Sequence, residues 1–156
     1  MNVLFICTGN TCRSPMAELY FNAVMARTGG RHTARSAGLS AFPGAPISSC
    51  AAEILRRNGI DSGAFRSSGI TPGLLAEADL IVAMTGAHAD ALAARAPECA
   101  GKIRRLLEWG AGGDVSDPFG GGTDVYGRTF AAMKEAVDAL IRELDTSGES
   151  KRCSPF

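Results

Sequence analysis

Net charge is the first thing this chain lacks: Lys+Arg 16 against Asp+Glu 16 leave a formal balance of +0 over 156 residues. Without a field of either sign, nucleic acid and anionic membrane surfaces are not expected partners. Long hydrophobic runs are also missing. The longest apolar stretch near the N-terminus, Val3-Leu4-Phe5-Ile6, has the length of a strand and falls well short of the ~20 residues of a membrane span. The same region lacks the charged-then-apolar pattern of a secretory leader. Paired cysteines are absent too. Cys7, Cys12, Cys50, Cys99 and Cys153 are odd in number and form no C-x-x-C pair, so no disulfide framework is expected and a reducing cytoplasm is. Histidine is scarce, and His32 and His88 stand far from any cysteine pair. No metal site and no cofactor are expected.

What is present suffices for a self-supporting core. With 46% hydrophobic residues and a length that fits one domain, the chain buries roughly 70% of its unfolded surface. Val3 to Ile6 reads as a strand covered on both faces. Ser14-Pro15 fits a helix cap followed by proline at the first helical position, and Met16, Leu19, Tyr20, Ala23 and Val24 recur at helical spacing until Gly29-Gly30. The alternation then repeats. Thr33 to Ala37 reads as a strand and Pro46 opens a helix stopped by Asn58-Gly59. A short helix from Pro72 to Ala78 leads into the strand Leu80 to Met84, and Thr85 caps a helix towards Arg95. Ile103 to Leu107 reads as a fourth strand, and a last helix runs from about Asp124 to Leu144. Strands alternating with helices predict an α/β fold: one three-layer domain over 1–145, a four-stranded parallel sheet flanked by helices. The tail 146–156, with Ser, Gly, Glu and Lys, is expected to fray.

Chemistry concentrates between the first strand and the first helix, in Cys7-Thr8-Gly9-Asn10-Thr11-Cys12-Arg13-Ser14. The carboxyl end of a strand is where open α/β sheets bind ligands, and a helix amino end attracts anions. Gly9, and Asn10 with its tolerance of left-handed geometry, allow successive N–H groups to turn inward as an anion nest. Arg13 can grip two phosphoryl oxygens at once, and the same positive field favours a thiolate over a thiol. Cys7, with Ser14 as a hydroxyl donor to its sulfur, is then a nucleophile facing a cradled phosphate. A Walker loop would need a lysine that is absent, and a papain-like nucleophile would need a histidine base. An acid must protonate the leaving atom. In the Gly-rich stretch from Glu108 to Thr123 and just beyond it, Asp114, Asp117 and Asp124 are all candidates by residue type.

With these residues in place the sequence resembles the low-molecular-weight protein phosphatase family. The resemblance runs through V-L-F-I, C-T-G-N-T-C-R-S-P-M-A-E, Arg35-Ser36-Ala37-Gly38, Ala78-Asp79-Leu80-Ile81-Val82-Ala83-Met84-Thr85 and Asp117-Pro118-Phe119-Gly120-Gly121. It implies a metal-independent hydrolase that acts on phosphorylated proteins through a phosphocysteine intermediate. In that case Cys7 is the nucleophile, Arg13 binds phosphate, Asn10 and Ser14 hold the loop and Asp117 is the acid. C-T-G-N-T-C-R-S together with D-P-F-G-G looks more like the bacterial protein-arginine-phosphatase branch than the tyrosine-specific one. Thr11 would then narrow the cradle and Phe119 wall it beside Asp117. The resemblance also implies a redox pair, Cys7 with Cys12. The alternatives are a tyrosine phosphatase, a thiol-dependent arsenate reductase drawing on Cys50, Cys99 or Cys153, and a catalytically silent phosphate-binding module. The residues give no expectation for oligomeric state.

Overall fold

The computed structural model describes residues 1–150, with side-chain surroundings described through residue 148. Its elements are β1 (Asn2–Cys7), α1 (Arg13–Thr28), β2 (Thr33–Gly38), α2 (Ser49–Arg57), α3 (Pro72–Glu77), β3 (Leu80–Ala83), α4 (Gly86–Arg95), β4 (Ile103–Arg105) and α5 (Thr123–Ser150). The sheet has four strands in the order β2-β1-β3-β4, and every pairing is parallel. From β1 the chain moves outward to β2, then returns to the other side of β1 as β3. That reversal opens a crevice at the carboxyl end of β1, where Cys7 pairs with Gly38.

Alternation along β1 builds two cores. Val3, Phe5 and Cys7 join Met16, Phe21, Leu55, Met133 and Leu140 on the face covered by α1, α2 and α5. Leu4 and Ile6 join Leu75, Ile81, Leu92, Cys99 and Ile103 on the face covered by α3 and α4. A sheet buried on both faces explains why the strands read as continuous apolar runs. Phe5 and Phe21 meet edge to face, with ring centroids 6.1 Å apart, and this fixes α1 against β1.

Several boundaries differ from expectation, each for a physical reason. The first helix begins at Arg13, with Cys12 in the capping position and no side-chain cap; Ser14 lies inside the first turn because its hydroxyl is engaged by Cys7. Pro46 does not open α2, which starts at Ser49 after Ser48 has donated its N–H to the Thr11 carbonyl (2.9 Å). The fourth strand ends at Arg105, since Glu108 reaches back to the Arg105 N–H (3.2 Å) and coils Leu106–Trp109 into a 3-10 turn. The last helix runs past the expected end at Leu144. It continues to Ser150, and the Thr146 hydroxyl bonds the carbonyls of Arg142 and Glu143. The remainder of the expected tail, including Cys153, lies outside the described residues. Among the described residues no helix is long and apolar enough to cross a membrane.

Candidate active site

The loop from Thr8 to Cys12 is shaped by where its carbonyls go. Those of Cys7, Thr8 and Thr11 accept N–H bonds from Leu39, Ser40 and Ser48, at 3.0, 3.0 and 2.9 Å. Carbonyls drawn outward leave the concave side to N–H groups, and the N–H of Asn10 is directed at Cys7 Sγ (3.3 Å). Asn10 carries the turn at φ 56, in the left-handed region. The end of β2 must come very close: a Cβ at Gly38 would sit 2.5 Å from the Thr8 carbonyl oxygen, so only glycine fits there.

Asn10 is fully buried and acts as the hub of the loop. Its Oδ1 accepts from the Ser68 N–H (2.9 Å), which fixes the amide the other way round for its donors. Nδ2 then donates to Ser14 Oγ (2.9 Å) and Ser36 Oγ (2.8 Å). Ser14, having accepted from Asn10, directs its own hydrogen to Cys7 Sγ, 2.9 Å away. Ser36 in turn donates to Glu18. Burial raises the Glu18 carboxyl above its ordinary range, against the opposing Ser36 bond. The chain from Glu18 to Cys7 is thus a largely buried network that ends in a hydroxyl and an amide aimed at sulfur, an arrangement that suits a thiolate.

Arg13 is 7% exposed and donates from Nη1 to the Val115 carbonyl (3.2 Å), while Nη2 stands 3.7 Å from Asp117 Oδ2. Asp117 itself is open, its side chain 60% exposed, with Oδ1 accepting the Phe119 N–H (3.1 Å). Phe119 is 85% exposed. Cys7, Thr8, Gly9, Asn10, Thr11, Cys12, Arg13, Asp117 and Phe119 line one cavity of about 260 Å³. Of the three candidate acids, Asp117 alone is in that lining. Asp114 instead accepts the Gly86 N–H at the start of α4 (2.8 Å). Arg35 and Asp79, conspicuous in the sequence, serve elsewhere: Arg35 pairs with Glu77 and Asp79 accepts the Asn2 N–H at the amino end of β1.

The sequence reading missed two neighbours of the loop. His88, 7% exposed on α4, meets Thr8 Oγ1 through Nε2 (2.8 Å), while its Nδ1 is buried with no partner among the described residues. Burial, and next the charge of Arg13, lower its pKa below the usual imidazole value. Tyr126 on α5 places its hydroxyl 3.2 Å from Cys12 Sγ, and burial together with Cys12 pushes the phenol up to about 12. Cys12 also reaches Ser48 Oγ at 3.4 Å. Both contacts span a long stretch of chain, and no local pattern marks them.

Comparison with known proteins identifies the family. The family described as low molecular weight phosphotyrosine protein phosphatase matches residues 2–150. A protein-arginine-phosphatase of Bacillus subtilis is 39% identical over 146 residues, covering 92% of this chain and 97% of that protein. A low molecular weight protein tyrosine phosphatase from T. tengcongensis superimposes with a TM-score of 0.88 at 43% identity, covering 92% and 99% of the two chains. The YwlE arginine phosphatase, solved as a cysteine-to-serine mutant with a phosphorylated active-site serine, gives a TM-score of 0.89 at 38% identity, covering 93% and 96%. The chain belongs to the low molecular weight phosphotyrosine protein phosphatase family.

Proposed function

We propose that this phosphatase hydrolyses phosphoarginine in proteins, with Cys7 as nucleophile, Arg13 as phosphate clamp and Asp117 as acid and base. The loop N–H groups and the free edge of Arg13 hold the phosphoryl oxygens, and the Cys7 thiolate attacks phosphorus. The P–N bond breaks as Asp117 protonates the departing guanidine. Water then attacks the phosphocysteine, giving its proton to Asp117 and returning the thiolate and inorganic phosphate.

The observation that carries the substrate choice is the cavity wall. Thr11 and Phe119 both line the cavity that holds Cys7 and Asp117. A branched, hydroxyl-bearing Thr11 narrows the cradle against a broad phenol and offers oxygen to guanidinium N–H groups. Similarity to a protein named as an arginine phosphatase supports the same choice. Tyrosine phosphatase activity is the second reading, favoured by the 43% identity to a structure bearing that name. For an arsenate reductase relay, Cys99 is out of reach, since it belongs to the core on the other face of the sheet from Cys7.

The test compares kcat/KM on matched phosphoarginine and phosphotyrosine peptides for wild type, Cys7→Ser and Thr11→Ile. Wild type is expected to prefer phosphoarginine, and Cys7→Ser to lose turnover while still binding phosphate. Thr11→Ile is expected to move the ratio towards phosphotyrosine by roughly 10- to 200-fold, the worth of one pocket contact. A wild-type preference for phosphotyrosine would overturn the substrate assignment, and turnover by Cys7→Ser the covalent route.

A further inference from the structure

The acid loop is buried on either side of Asp117, at Val115 and at Pro118, while Ser116 and Asp117 between them are exposed. Val115 is buried, its N–H bonded to the Met84 carbonyl (2.9 Å) and its carbonyl to Arg13. Asp117 and Phe119 are exposed, so packing does not fix the carboxylate. Between Val115 and Asp117, exposed Ser116 turns its hydroxyl to Thr129 Oγ1, 3.2 Å away on α5. Thr129 is 4% exposed, a buried hydroxyl that the chemistry at Cys7 does not use. A cavity of about 330 Å³, lined by Leu107, Val115, Ser116, Val125, Arg128 and Thr129 among others, lies behind this part of the loop. Beside that cavity, the hydroxyl pair ties the chain immediately before Asp117 to α5.

We propose that Thr129 is a positioning residue, holding Ser116 so that Asp117 stands over the Cys7 pocket at proton-transfer distance from the leaving atom. This rests on Asp117 being the acid. Misplacing a reacting group by about 1 Å costs on the order of 10²-fold, so partial loosening is expected to cost about tenfold.

Leaving-group dependence separates positioning from mere structure. Departure of guanidine or phenol from a phosphopeptide needs a proton, whereas 4-nitrophenolate leaves as an anion. The value of kcat/KM covers the steps through phosphoryl transfer to Cys7. Thr129→Val, nearly equal in shape, is expected to lower kcat/KM on the phosphopeptide about tenfold and on 4-nitrophenyl phosphate less than about threefold. Thr129→Ser is expected to restore both. Ser116→Ala, at an exposed position, is expected to show the same split and decides the matter if Thr129→Val does not fold. Equal losses on the two substrates, or no loss on the phosphopeptide, would overturn the proposal. Asp117→Asn in the same assays tells the two failures apart. If it shows the split while Thr129→Val and Ser116→Ala do not, the tie alone is refuted; if it shows none, Asp117 is not the acid and the proposal falls with it.

Discussion

Replacing Asn10 with alanine tests whether one side chain organises the site. Asn10 is fully buried and makes three bonds, with Ser14, Ser36 and the Ser68 N–H. Three lost bonds at about 1 kcal/mol each give roughly 3 kcal/mol. The left-handed φ of 56, tolerable for asparagine, adds about 1 kcal/mol for alanine. Asn10→Ala is therefore expected to lose about 4 kcal/mol and Asn10→Gly about 3, read from urea melts at constant slope. The rate should fall as well, because Ser14 is no longer oriented towards Cys7. A hydrogen bond to a charged group is worth ~1.5–3 kcal/mol, so kcat/KM is expected to drop roughly 10- to 100-fold in both variants. Stability of Asn10→Ala within about 1 kcal/mol of wild type would refute the hub argument. Equal stability of the alanine and glycine variants would refute the backbone part of it.

Two further predictions concern titration and oxidation. His88 is held below its ordinary value of 6.5. Between that value and the folded one, the unfolded chain binds the extra proton, so stability falls as pH drops through this window. His88→Gln is expected to flatten that slope by up to ~1.4 kcal/mol per pH unit, one proton's worth, in melts at successive pH; an unchanged slope would exclude His88 as its source. Peroxide is expected to oxidise Cys7 to the sulfenic acid, which Cys12 then attacks, releasing water and forming a disulfide that a dithiol reduces. For this the Cys12 sulfur must turn away from Tyr126 and Ser48. Mass spectrometry showing Cys7 as sulfinic acid with Cys12 free, or full recovery of Cys12→Ser, would count against the pair.

Local signals were legible because they are physically local. The apolar run of β1, the left-handed Gly29 at the end of α1 and the Thr85 cap, whose oxygen accepts the His88 N–H, all match the sequence reading. Ser14-Pro15 misled because a serine before proline is a good cap, yet the buried sulfur of Cys7 competes for that hydroxyl and wins. The reach of β4 was overread for a similar reason: Leu106 and Leu107 are buried, as a strand's would be, but in a 3-10 turn. Within the site, Cys7 to Ser14 was readable as one contiguous loop. Ser36, Ser68, His88 and Tyr126 were not, because strand order and helix docking bring them in from distant stretches of the chain. His88 carries no local mark of its place, because its partner is a threonine hydroxyl on the loop, 80 positions away in the chain.

Arg13 links the two halves of the site, and its geometry explains why arginine rather than lysine stands there. The guanidinium carries five N–H donors in a fixed plane. One edge is committed to the Val115 carbonyl, which seats the base of the acid loop, and this turns the other edge towards the cavity shared with Cys7. A lysine could hold Val115 or a phosphoryl oxygen, but not both with fixed direction. The 3.7 Å contact with exposed Asp117 is too long and too solvated to balance a buried cation. Arg13, the loop N–H groups and the start of α1 together therefore give the pocket more positive than negative charge of its own. A phosphoryl group balances that charge on arrival, and the fold is stabilised in proportion to how tightly it binds. The feature that makes the loop costly to fold is the same one that makes it select a phosphate.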